Sequence, residues 1–86
     1  MKKELLQVGS KCISKKPVVI FSDPDFDNFS KKCVHVGIES GIPVKVTKLP
    51  FKHSNIQFIE FQIEPPYPEE KFFLHWITFK GSFNLV

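Results

Sequence analysis

Proline and glycine cut this chain so often that no long segment keeps a helical pattern. Seven prolines and four glycines are spread over 86 residues. Windows of about eleven residues that avoid both show no persistent recurrence of apolar side chains at three- and four-residue spacing. Helix content should therefore be low, with Lys2 to Val8 the only place for a helical turn or an extended lead-in before Gly9.

Between the breakers the pattern is that of short strands. Lys11 to Ser14 is one, Pro17 to Phe21 a second that ends at Ser22-Asp23-Pro24, and Cys33 to Ile38 a third before Gly41. Val44-Lys45-Val46-Thr47 alternates apolar and polar residues. Phe58 to Glu64 alternates most clearly, with Ile59, Phe61 and Ile63 on one face and Glu60, Gln62 and Glu64 on a face expected to be wet. Lys71 to Phe79 reads as a strand with apolar groups on both faces, covered on two sides or completed by a partner. Phe83 to Val86 closes the series. The whole reads as one all-β domain over residues 1–86, a lead-in at 1–8 and a small barrel or sandwich at 9–86.

Composition fills in the rest. Hydrophobic residues make up 42% and charged residues 24%, which places the chain among globular rather than disordered sequences. A chain this short buries about 60 to 65% of its unfolded surface, so ten phenylalanines on an alanine-free sequence must supply most of the core. No apolar run approaches the roughly 20 residues of a membrane span, and the first residues lack the apolar stretch of a signal peptide, so a soluble, cytoplasmic protein is expected. In that setting Cys12 and Cys33 are expected to be reduced and packed. A disulfide would require their strands to lie side by side.

All twelve basic residues are lysine. Lysine lacks the planar fork with which arginine reads carboxylates, phosphates and guanine edges, which disfavours sequence-specific DNA reading. The net charge of +3 is also blocky: lysine dominates residues 1–16 and 31–56, whereas residues 22–30 hold three Asp and residues 57–70 four Glu without a cation. Blocks of this kind are commonly solvated loops; on separate faces they would give the surface sectors of opposite sign.

The ingredients of an active site are missing. His35, His53 and His75 have no ligand spacing, no nucleophile motif is present, and no glycine-rich phosphate loop exists. Neither a catalytic role nor a cofactor or metal is expected. Asp23-Pro-Asp25-Phe26-Asp27-Asn28 has the alternate carboxylates of a calcium loop, but its twelfth place is Val34 where a bidentate Glu is needed. Pro65-Pro66-Tyr67-Pro68 is a stiff segment that holds Tyr67 out, either as a rigid connection or as a ligand for a partner's groove.

The order of these pieces resembles a Src-homology-3-like domain of the bacterial type. The matching parts are the apolar strand Val18 to Phe21, the acidic loop Ser22 to Ser30, the turn and strand Gly37 to Val46, the strand Phe58 to Ile63, and Trp76-Ile77 near the end. His75 stands where such domains often carry glycine, and the peptide-binding tyrosines of the eukaryotic form are absent. A fainter likeness, through Val8 to Lys11 and Val18 to Pro24, is to the variable subunit of ferredoxin:thioredoxin reductase, a barrel of the same kind.

The resemblance implies a five- to six-stranded barrel acting as a non-catalytic protein-binding module or small subunit of a larger complex. Its partner, favoured to carry a basic segment, would meet Asp23, Asp25, Phe26, Asp27, Tyr67 and Trp76. Two other readings stay open. One is a binder of single-stranded nucleic acid that uses lysine blocks and stacked Phe rings, and the other is a small inhibitor acting by surface contact.

Overall fold

The computed structural model describes residues 2–23, 34–64 and 70–86. A single 3-10 turn, Lys3–Leu5, leads in, and Leu6 behind it is buried. Seven strands follow: β1 (Lys11–Ser14), β2 (Val18–Phe21), β3 (His35–Ile38), β4 (Pro43–His53), β5 (Ile56–Ile63), β6 (Lys71–His75) and β7 (Phe83–Leu85). One helix, α1 (Trp76–Ser82), joins β6 to β7. Every pairing is antiparallel, in the order β3-β2-β6-β5-β4-β1-β7. The radius of gyration, 11.9 Å, equals the roughly 12 Å of a compact chain of this length.

The all-β class read from the alternation holds, but the expected five- to six-stranded barrel does not: the seven strands form an open sheet with β3 and β7 at its edges. The β2–β3 hairpin joins the sheet by pairing Phe21 with Phe73 of β6, and among the described residues no strand bridges β3 to the far side. The gap at that seam is a cleft lined by Val36 and Ile38 of β3 and by Ile42 and Ile63 opposite.

One face of the sheet is the core. Cys12, Ile20, Val44, Val46, Ile59, Phe61, Phe72 and Leu74 alternate inward from five strands, and α1 closes over them. Phe61, Phe79 and Phe83 meet at centroid distances of 5.4, 5.7 and 4.5 Å. The strand expected over residues 71–79 ends at His75, and the helix begins at Trp76. In a strand, Trp76 and Phe79 would point to opposite faces. One helical turn puts both on the same side, where both are buried, and turns Ile77 to solvent.

β4 runs to His53, well beyond the expected Val44 to Thr47, because two register shifts on either side of Lys48 absorb extra residues and carry the strand past Pro50. Its hairpin with β5 turns on Ser54 and Asn55, with φ of 53° and 66°. Positive φ at both central residues defines a type I′ turn, whose twist matches the flanking strands. The turn from β3 to β4 needs Gly41 at φ +85°. Ser14, itself buried, fastens that turn to β1: its hydroxyl donates to the Glu39 carbonyl at 2.7 Å and accepts from the Ile42 N–H at 2.9 Å.

Candidate functional site

The second face of the sheet is not the wet face expected from Glu60, Gln62 and Glu64. Register places its side chains in cross-strand rows. Phe21, Phe73, Glu60 and Lys48 form one; His75, Phe58 and Phe51 the next; Lys71, Gln62, Lys45 and Lys11 a third. Phe58 and Glu60 are 2% and 8% exposed, so aromatic packing continues across this face. The Phe51 ring lies 6.3 Å from both Phe58 and Phe73. His75 meets the edge of Phe58 at 4.9 Å, His53 meets it at 5.9 Å, and His35 meets Phe21 at 4.9 Å.

Lysines rim these rings. Lys48 Nζ sits 4.3 Å over the Phe51 ring, and Lys71 Nζ lies 3.3 Å from the Glu60 carboxylate. Lys11, at 4.0 Å from Glu64, and Lys45 extend the rim, and all four lysines are exposed. Half-buried Phe51 and Phe73 rings beside exposed lysine cations offer partial ring surface and positive charge to a ligand. The three histidines are spread over this face, and no group of three metal-ligating side chains occurs among the described residues.

The second surface is the open edge. The Ser22 N–H donates to the Val34 carbonyl at 3.0 Å, and the Val34 N–H is held by the Ser22 hydroxyl at 2.8 Å. Antiparallel alternation then turns the N–H and C=O groups of Val36 and Ile38 towards β2, and those of His35 and Gly37 away from it. No strand pairs with that outer edge among the described residues. Gly37 is exposed, and among the described residues no atom lies within 4 Å of where its side chain would stand. Beside this edge lies the cleft of about 350 Å³ at the seam, apolar except for Glu39 at its end. A further cleft of about 410 Å³, lined by Asn55, Gln57, His75 and Thr78 with exposed Ile56 and Ile77, lies between the β4–β5 turn and α1.

Of the residues singled out from sequence, Asp23 sits half-buried in the bend after β2. Trp76 opens α1 and stacks on Phe79 at 6.1 Å; at 6% exposure it belongs to the core and has little surface for a partner. Asp25, Phe26, Asp27 and Tyr67 lie outside the described residues. Sequence reasoning missed Lys48 and Phe51, which only the register shifts of β4 bring onto one face, and the seam cleft, whose walls come from β3, β5 and the turn before β4. Cys12 is a free thiol at 0% exposure, and burial pushes its pKa up to about 11. No helix among the described residues is long and apolar enough to cross a membrane. Compared with protein-family models, curated proteins and solved structures, the chain matches none.

Proposed function

We propose that this chain is a non-catalytic protein-binding module, acting as an adaptor or as a small subunit of a larger complex. The observation that carries this reading is the apolar cleft at the open seam, where Val36, Ile38, Ile42 and Ile63 surround a space left unfilled among the described residues. A partner side chain entering it would be removed from water on several sides at once, which is how interface anchors contribute most of their energy. The acid Glu39 at the cleft and Asp23 beyond β2 favour a partner with basic residues. The acidic run that continues through Asp25 and Asp27 adds to that preference.

The experiment is affinity capture with the immobilised protein at two salt concentrations, with and without nuclease, read by mass spectrometry and followed by reconstitution from purified components. One stoichiometric protein that survives nuclease and re-forms the complex when purified supports the module; recovery that disappears with nuclease removes it.

A second reading, single-stranded nucleic acid, is favoured by one observation, the row of exposed lysines beside Phe51 and Phe73 on the second sheet face. It requires oligonucleotide affinity that falls linearly with the logarithm of salt concentration, and it requires Lys48→Gln with Lys71→Gln to flatten that slope by about 1 to 2.

A further inference from the structure

We infer that the partner of this module is an extended peptide segment that adds a strand to the outer edge of β3, with alternate aliphatic side chains in the seam cleft and a lysine or arginine at the end that meets Glu39. The inference rests on the protein-binding reading and specifies its chemistry.

Three observations converge on that occupant. The N–H and C=O groups of His35 and Gly37 point away from β2 and have no strand partner among the described residues. A chain in strand conformation supplies donors and acceptors at that spacing, whereas a helix satisfies its own backbone and offers none. The cleft beside this edge is walled by Val36, Ile38, Ile42 and Ile63, so every second residue of the added strand would face an apolar wall. The side chain of Gly37 is missing at the point of closest approach, in open space, so an incoming backbone meets no Cβ there.

Charge orients the segment. Glu39 follows Ile38 at the end of β3 and is exposed beside the cleft. A lysine or arginine at the corresponding end of the peptide complements it.

The test selects a display library of random peptides, about twelve residues long, on the folded protein. The expected consensus alternates Val, Ile or Leu with polar residues and carries a basic residue at one end. Gly37→Pro removes an outward N–H but no bond to β2, so it should weaken a selected peptide about tenfold or more while leaving the unfolding midpoint near that of the parent. Independently of how that variant folds, backbone N-methylation of the peptide at alternate positions should abolish binding in one phase and not in the other. Bound peptide should also slow hydrogen exchange at the His35 and Gly37 amides. Selected peptides that tolerate N-methylation in both phases, or protect amides elsewhere, overturn strand addition and leave the protein-binding module standing. Failure to enrich any peptide above a scrambled background overturns both.

Discussion

At the scale of single residues, buried positions tell more here than exposed ones. Cys12 has no solvent exposure, and its thiol is neutral at physiological pH because burial penalises the thiolate and raises the pKa from 9.0 to about 11. Between those two values the unfolded chain has lost the thiol proton that the folded chain still holds, so stability falls as pH rises through that window and is fully present below it. Urea unfolding at pH 8 and pH 10 should show a lower midpoint at the higher pH, and Cys12→Ala or Cys12→Val should reduce that difference. Native protein at pH 8 should react at Cys12 with a thiol reagent only as fast as it opens. In the structure Cys12 is buried between exposed Lys11 and half-buried Ile13, and sequence suggested packed, reduced cysteines from the expected cytoplasmic setting. It gave no sign that Ser14, two residues further on, would hold the turn before β4 across 25 positions of sequence.

At the scale of elements, the β4–β5 hairpin shows how local chemistry and pairing share control. Ser54 and Asn55 both adopt positive φ, which Asn-Gly accepts at lower cost than Ser-Asn. Replacing the pair, Ser54→Asn with Asn55→Gly, should stabilise the protein by about 0.5–1 kcal/mol, read as a rise in thermal midpoint with unchanged circular dichroism. The strands themselves were legible from alternation: β1 is where the pattern put it, and β2, β3 and β5 shift by only one or two residues at an end. Cys33, expected at the start of β3, lies outside the described residues. Two elements misled. β4 outran its alternation because bulges reset the period around Lys48, and residues 76–79 left the strand for a helix because burying Trp76 and Phe79 on one side outweighs extending β6 past the start of β5. Glu60 is the matching surprise, an acid at a polar position of the pattern that ends up 8% exposed with Lys71 against it.

At the scale of the molecule, the aromatic core holds the fold together. A domain of this length has a stability of about 5–10 kcal/mol, and truncating a fully buried Phe costs about 3–5. Phe61 touches Phe79 and Phe83 from β5, α1 and β7 at once. Phe61→Ala should therefore remove about half or more of the folding free energy, and the fluorescence of the single tryptophan, buried Trp76, reports the loss in a urea titration. Breaker spacing and period-two alternation, both local properties of the backbone and its side chains, are enough for this sequence to determine an all-β chain with a phenylalanine-rich core. Whether the sheet closes, which strand is left at the edge, and which of its polar positions become buried depend on contacts between residues far apart in sequence. Only the tertiary structure decided that β3 lies at the edge beside the cleft of Ile42 and Ile63, because the hairpin carrying it is anchored to β6 on one side and, among the described residues, reaches no strand on the other.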